Sequence, residues 1–482
     1  MDRNNDTKIV TRFAPSPTGF LHIGGVRTAL FAWLWAKKNT GTFILRIEDT
    51  DKNREVEGSI EQIKQSLRWL GIDWEFGPDK PSEEFGSCLQ SDRLKRYREW
   101  AEKLVEKGLA YPDPYTPEEV QRFRDQAEKE GRPFLFRDHR PEKFDDWDGA
   151  KPLRFKVSEI KRYEWNDEVR GKLSAGEEVL DDFIILKADG YPTYNFAHIV
   201  DDYDMGVTHV VRGEEFISST PKFLSLYDAL EITWPKFVTL PPIMGPDGKK
   251  KLSKRDGAKD MLEYAEGGYL PGAMRNFLAL IGWNPGTDQE LFFTEEELTE
   301  AFSLNKIQKS GGAFNEDKLK WMNKEHLGRL PVEDKVTYVQ SALPNQDPEK
   351  VAKLTPTILE RIHTKTEIKE AEAAGEYAWL NTAPDYDIEL LKWKNDDSAA
   401  AALPRLQKVS ELIKTADFTT PETIKATIWA YAEEVGKGEV LWPLRVALSG
   451  LERSPDPFTL ASVLGVEETL SRIQTACDKI EG

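Results

Sequence analysis

Two stretches of the chain carry residue types suited to handling phosphate. The first, Ala14-Pro15-Ser16-Pro17-Thr18-Gly19-Phe20-Leu21-His22-Ile23-Gly24-Gly25, joins a short β-prone run, Lys8 to Phe13, to an apolar-periodic one. A turn from strand to helix exposes free backbone N–H groups at the positive end of the helix dipole, which makes an anion site. Gly24 and Gly25 allow close approach to the backbone, and His22 can hydrogen-bond a phosphoryl oxygen as charge develops. One histidine beside two glycines is a weak signal alone, because a capping or packing histidine has the same pattern. The second stretch, Lys249 to Arg255, places five lysines or arginines and Ser253 in a glycine-flanked loop. Mobile charges such as Lys251 and Lys254 can follow pyrophosphate as it leaves, although a solvated basic loop has the same composition. The segment lacks the spacing of a Walker A motif.

The elements that must position these residues can be read from the hydrophobic pattern. Lys8 to Phe13 reads as a strand, and Val26, Leu30, Phe31 and Leu34 fall on one face of the helix that follows. A second strand, Thr42 to Ile47, ends in Glu48-Asp49-Thr50-Asp51, and a helix carrying Ile60, Ile63, Leu67 and Leu70 comes next. Such alternation predicts a parallel α/β sheet. From about Asp92 to Gly190 the pattern changes to charged helix and then extended pieces, Lys151 to Val157 and Phe183 to Leu186, which reads as an α+β insertion between two halves of the sheet. The α/β pattern resumes at Tyr194, with a strand at Thr208 to Arg212 and a helix at Pro221 to Leu230. Beyond about Glu325 the apolar spacing is helical, as at Ile358, Leu359 and Ile362 and at Ile424, Ile428, Tyr431 and Ala432.

Composition bounds the function. The 482 residues suggest several domains. With 39% hydrophobic and 31% charged residues, 14 Trp and 23 Phe, the chain has ample material for globular cores. No apolar run approaches a membrane span and the start lacks a secretory pattern, so a cytoplasmic protein with no membrane partner is expected. Cys88 and Cys477 stand alone in sequence, which predicts reduced thiols and no cysteine zinc site. A net charge of −18 argues against nonspecific polyanion binding by the whole surface, though not against local basic patches.

The pair HIGG (His22 to Gly25) and KLSKR (Lys251 to Arg255) resembles the two signature motifs of class I aminoacyl-tRNA synthetases. The surrounding words RFAPSPTG, LHIGG, RTAL, RIEDTD, QSDR, PTYNFA, VVRGEE and KLSKR are similar to those of the bacterial-type glutamyl-tRNA synthetase family. GGAFNEDKLKWMN (Gly311 to Asn323) and PLRVALSG (Pro443 to Gly450), with the words that follow it, extend the resemblance over nearly the whole chain. It implies a Rossmann-like catalytic domain in two halves, 1–91 and 191–245, split by an acceptor-binding insertion, 92–190. A KLSKR-loop and stem-contact domain, 246–325, and a helical anticodon-binding region, 326–482, would follow.

The activity implied is a glutamate-tRNA ligase using ATP with Mg²⁺. The glutamate α-carboxylate attacks the α-phosphate, pyrophosphate leaves, and the terminal adenosine of tRNA(Glu) takes the acyl group. Carried over by motif, His22, Lys251 and Lys254 are the catalytic residues, and His22, Gly24, Gly25, Lys251, Ser253 and Lys254 bind ATP. Arg12, Ala14, Ser16, Glu48, Tyr194, His198 and Arg212 form the glutamate pocket. Glu48 suits the α-ammonium, and the forked cations of Arg12 and Arg212 suit the side-chain carboxylate. The same arginines could instead pair with Glu48, Glu214 or Glu215. His198 departs from the asparagine frequent in relatives.

A second departure lies in the insertion. Some relatives place a Cys-x-Cys zinc knuckle after an Ala-Tyr pair, whereas here Ala110-Tyr111 runs into Pro112-Asp113-Pro114-Tyr115, so no structural zinc is expected. Lys306, Lys309, Lys318, Lys320 and Lys324, beside Phe314 and Trp321, form a local basic concentration suited to tRNA. The expected state is a monomer. Two alternatives accompany this reading: an enzyme that also charges tRNA(Gln), and a catalytically silent RNA-binding paralogue, which the intact motifs disfavour.

Overall fold

The computed structural model describes residues 8–252 and 259–482. They fall into two compact units, Met1–Ala265 with Pro271–Leu319, and Glu266–Leu270 with Lys320–Gly482. Among the described residues no helix is long and apolar enough to cross a membrane.

In the first unit, β1 (Val10–Phe13), α1 (Ile23–Lys38) and β2 (Thr42–Leu45) form a parallel crossover, followed by α2 (Ser59–Trp69) and α3 (Leu94–Glu106). The chain continues through β3 (Ala110–Pro112), α4 (Pro117–Lys129), β4 (Leu153–Phe155), β5 (Tyr163–Asp167), β6 (Gly171–Ala175) and β7 (Phe183–Leu186). Next come α5 (Tyr194–Asp204), β8 (His209–Gly213), α6 (Thr220–Leu230) and β9 (Lys236–Leu240). The main sheet has the order β2-β1-β8-β9-β5-β6, parallel from β2 through β5 and antiparallel at β6. Its central strands are short apolar runs such as Val210 and Val211, buried as a sheet covered on both faces requires.

The α1 pattern predicts one buried face, but the helix is buried nearly all round. Ile23, Ala29, Trp33 and Ala36 are covered as well as Val26, Leu30, Phe31 and Leu34. Both sides are occupied: Phe31 packs its ring 5.2 Å from Phe302, and Trp35 meets the edge of His209 on β8. This double burial holds the amino end of α1 rigidly at the carboxyl edge of β1.

The extended pieces of the 92–190 segment do not form one sheet. β3, β4 and β7 make a separate three-stranded antiparallel sheet, whereas the β5–β6 hairpin extends the main sheet past β9. Asp167 ends β5 and fixes this junction, its Oδ2 accepting from the Thr239 hydroxyl at 2.5 Å. At the turn after Ala110-Tyr111, the Tyr111 hydroxyl donates to Asp182 at 2.7 Å and Arg140 grips the same carboxylate through two nitrogens at 2.6 Å. Asp113 pairs with Arg154 at 2.5 Å. His139, the nearest histidine, stacks on Phe123 with ring centroids 4.1 Å apart. Ion pairs and ring stacking thus hold this part of the insertion together.

The unit is completed by β10 (Ile243–Met244), α7 (Met261–Glu266), α8 (Pro271–Leu280), α9 (Glu295–Ala301) and β11 (Gly312–Ala313), after which α10 (Glu316–Arg329) leads into the second unit. β10 and β11 pair in parallel. A Cβ on Gly311 would lie 2.8 Å from the Pro242 carbonyl oxygen, so this approach requires glycine there.

The second unit is helical: α11 (Val332–Ala342), α12 (Pro348–Arg361), α13 (Lys365–Ala373), α14 (Leu403–Ile413), α15 (Pro421–Val435), α16 (Lys437–Ser449), α17 (Pro457–Leu464) and α18 (Val466–Glu481). Ile358, Ile424, Ile428 and Ala432 lie in its core, with Leu359, Ile362 and Tyr431 at the edge of it.

Candidate active site

The strands end in a row of buried charge. Arg12 is on β1, Arg212 is on β8, and Arg46 and Glu48 follow β2 on alternate residues, so they project the same way. The carboxyl edge of a parallel sheet is where such folds collect ligands. Asp202 of α5 sits beneath them. Its Oδ1 accepts from Arg12 Nε at 3.0 Å and from Arg46 Nη1 at 2.6 Å, and its Oδ2 accepts from Arg12 Nη2 at 3.3 Å. Arg46 Nη2 donates to Glu48 Oε1 at 3.1 Å. Glu48, Arg46, Asp202 and Arg12 therefore alternate in sign along a continuous chain of contacts.

These neighbours set the protonation states. Burial pushes the Glu48 carboxyl up to about 7, against the opposing pull of Arg46 and Arg12. Asp202 ends on the other side: burial pushes its carboxyl up, but Arg12 and Arg46 outweigh that and hold it far below the ordinary carboxylate range. Arg12 accordingly does not pair with Glu48, Glu214 or Glu215, the partners available to it by sequence. Its carboxylate is Asp202, 190 positions away.

Arg212 has no carboxylate at all among the described residues. Its Nη2 donates to the Thr220 hydroxyl at 2.8 Å, while Nε and Nη1 are buried with no hydrogen-bond acceptor among the described residues. Glu214 is taken by Arg170 at 2.6 Å. The guanidinium lies instead over the rings of Phe216, Phe223 and Phe237, at 5.4, 5.2 and 4.8 Å. Aromatic faces stabilise a cation by roughly 0.5–2 kcal/mol each, but leave its N–H groups unsatisfied. Burial lowers the Arg212 pKa from its ordinary value.

Tyr194 and His198 share one face of α5, with rings stacked 4.7 Å apart, and both meet the ring of Phe223 beside Arg212. Tyr194 also stacks on Phe216 at 5.3 Å. His198 Nδ1 is 2.7 Å from the Tyr194 carbonyl oxygen, so Nδ1 carries the proton and donates it. Burial pushes the imidazole down to about 3, which keeps it neutral.

The phosphate-handling stretch has the predicted strand-turn-helix form. His22 is the N-cap of α1 and its Nδ1 accepts from the Gly24 N–H at 3.1 Å. A Cβ on Gly24 would sit 3.1 Å from His22 Cε1, so the glycine makes room for the capping ring. Capping and phosphate binding are compatible, since the ring lies at the exposed end of the helix dipole. Ala14 and Ser16 lie in the loop before it, which the Glu48 N–H joins through the Pro15 carbonyl at 3.0 Å. Lys251 lies on a hairpin arm: Leu252 N donates to the Ile243 carbonyl at 2.8 Å, and Lys251 bridges Met244. Ser253 and Lys254 lie outside the described residues. Past them, Asp260 forms an antiparallel bridge with His22, and Met261 N donates to the Leu21 carbonyl at 3.2 Å. The chain just past the second motif, at Asp260 and Met261, therefore packs against the residues that open α1.

Sequence reasoning missed Arg46, Asp201 and Asp202. A signal was present: Tyr194, His198 and Asp202 recur every four residues and so share one helix face. The lysine concentration is less available than its composition suggests. Lys318 pairs with Glu290 at 2.5 Å, Lys320 pairs with Glu367 at 3.0 Å, and Lys306 donates to the Pro285 carbonyl.

Comparison with known proteins agrees over the full length. Residues 8–321 match the family model of tRNA synthetases class I (E and Q), catalytic domain, and residues 331–477 match an anticodon binding domain. A glutamate–tRNA ligase from Clostridium tetani is 38% identical over 493 residues, covering 99% of each chain. One from Clostridium botulinum is 40% identical over 486 residues, covering 98% of this chain and 99% of the relative. A crystal structure of a glutamate tRNA ligase from Elizabethkingia meningosepticum, in complex with its amino acid, matches with a TM-score of 0.86 at 35% identity, covering 98% of this chain and all of the other. With the charged strand edge, the capped helix and these matches together, the chain belongs to the class I tRNA synthetases of the E and Q family, among the glutamate–tRNA ligases.

Proposed function

We propose that this chain activates L-glutamate with ATP and Mg²⁺ and transfers it to the terminal adenosine of tRNA(Glu), releasing AMP and pyrophosphate. The observation that carries the glutamate reading is Arg212, a buried cation with two unsatisfied nitrogens, Nε and Nη1, at the carboxyl edge of the sheet. Arg12 and Arg46 have carboxylate partners in Asp202, Asp201 and Glu48, whereas Arg212 has none among the described residues, so its positive charge stands without a counter-ion. A side-chain carboxylate neutralises it. A glutamine amide leaves it uncompensated, which costs a few kcal/mol and disfavours glutamine by roughly a hundredfold or more.

In this reading Arg212 and Arg12 receive the side-chain carboxylate, Glu48 receives the α-ammonium, and Tyr194 hydrogen-bonds the substrate. His198, neutral and stacked on Tyr194, holds that ring in place, and Ala14 and Ser16 line the approach from the turn. The N-cap of α1, with His22, Gly24 and Gly25, takes the ATP phosphates. Lys251, Ser253 and Lys254 follow the departing pyrophosphate. Catalysis is by positioning and charge, with no covalent enzyme intermediate. The deciding experiment is parallel charging of tRNA(Glu) and tRNA(Gln) with glutamate and ATP. Glutamyl-tRNA(Glu) alone is expected, charging of both identifies the broader enzyme, and charging of neither overturns the proposal.

Glu48 makes glutamate use depend on pH. With the carboxyl pushed up to about 7 by burial, with Arg46 and Arg12 pulling it down and Asp202 pushing it up, a large fraction is protonated in the empty site near neutrality. An ammonium ion binds the carboxylate form, so glutamate binding must expel a proton below that value. The KM for glutamate is expected to fall as pH rises from about 6 to about 8 and then level off. Glu48→Gln raises KM and flattens that dependence, and an unchanged slope in the variant would remove Glu48 from the ammonium site.

A further inference from the structure

We propose that Asp202 is a positioning residue of the glutamate site: through Arg46 and Arg12 it sets the separation between the group that takes the substrate's ammonium and the cation that takes its carboxylate. The inference rests on the glutamate reading above. Arg46 spans the two ends, with Nη1 on Asp202 at 2.6 Å and Nη2 on Glu48 at 3.1 Å, while Arg12 reaches the same Asp202 oxygen at 3.0 Å. Arg12 pairs across the strands with Ile44, so Arg46 lies two residues beyond it on the neighbouring strand. Two guanidiniums this close repel one another, and the shared carboxylate oxygen holds them in one geometry. All three residues are at most 4% exposed, so solvent cannot substitute for the missing partner if one is removed.

The preceding residue fixes the fixer. Asp201 accepts from Gln90 Nε2 at 2.8 Å, from Arg93 Nε at 2.8 Å and from the Tyr97 hydroxyl at 2.8 Å. Arg93 also reaches Asp204 at 2.9 Å, and Arg96 grips Asp204 through two nitrogens at 2.7 Å. The QSDR segment and α3 thus clamp α5 through Asp201 and Asp204, and Asp201 also lies 3.7 Å from Arg46 Nε, while Asp202 is the carboxylate shared by Arg12 and Arg46. QSDR and the arginine of RIEDTD thereby hold a rigid frame on which Arg12 and Glu48 stand at fixed spacing.

The test is Asp202→Asn in the full-length protein, which keeps the shape and removes the charge. Aminoacylation is measured with glutamate and ATP varied separately. The KM for glutamate is expected to rise about ten- to a hundredfold while the KM for ATP stays within about twofold. A merely structural aspartate would lower the amount of active enzyme without moving the glutamate KM. An unchanged glutamate KM, or an equal rise for ATP, overturns the proposal. Should Asp202→Asn not fold, the charge-neutral double variant Arg46→Gln with Asp202→Asn is measured instead. It is expected to show the same glutamate-selective rise; a parental glutamate KM, or failure of this variant to fold as well, assigns Asp202 to the core alone. Failure of the parent to charge glutamate would strike the underlying functional reading, whatever the variants do.

Discussion

Arg212→Ala is expected to abolish the preference for glutamate over glutamine and to lower kcat/KM for glutamate by about 30- to 4000-fold, the equivalent of the 2–5 kcal/mol lost when one partner of a buried charge pair is truncated. The size follows from the pocket. Among the described residues Arg212 has no carboxylate to share with the substrate, so the substrate carboxylate would be its sole anionic partner. The aromatic wall of Phe216, Phe223 and Phe237 can replace neither the charge nor the N–H groups. A second consequence separates binding from folding. An uncompensated buried cation destabilises the empty protein, so Arg212→Met, which fills the space without the charge, is expected to raise Tm while activity is lost. Activation kinetics with both amino acids and thermal unfolding of the ligand-free variant check the two halves. Retained glutamate preference in either variant would take Arg212 out of the pocket.

Lys254→Ala is expected to slow glutamyl-adenylate formation by roughly 10²- to 10³-fold, as loss of one oriented transition-state donor typically does, with tRNA affinity little changed. Leu252, before Lys254 in the chain, is tied to Ile243, and Asp260, six residues past Lys254, bridges to His22. Lys254 itself lies outside the described residues, and its role follows from its place in the KLSKR motif. A point charge on a flexible stem gains most when negative charge moves from the α-phosphate to the leaving pyrophosphate. Single-turnover adenylate formation reads the first effect and tRNA binding without ATP reads the second. Equal losses in both would make the residue a general nucleic-acid contact.

What the sequence by itself determined is mostly local. The strand at Val10–Phe13, the capped helix at Ile23–Lys38 and the helices of the second unit follow from periodicity, glycine placement and capping, all set by residues within a turn or two of one another. The phosphate-handling words and the arginine types were legible for the same reason. Long-range partner choice was not. Arg12 had three candidate carboxylates by sequence and took a fourth, Asp202, because the pairing of β1 with β8 brings α5 beneath the strand edge. Arg212 has the same side chain and a neighbouring Glu214, yet Arg170 removes that glutamate and leaves the cation open. The β5–β6 hairpin lies in sequence between strands of another sheet and joins the main one at its end, through Asp167 and Glu168. Residue type determines what a charge can bind. Only the folded backbone decides which opposite charge lies within about 3 Å, and in a buried site that choice separates a structural arginine from one kept for substrate.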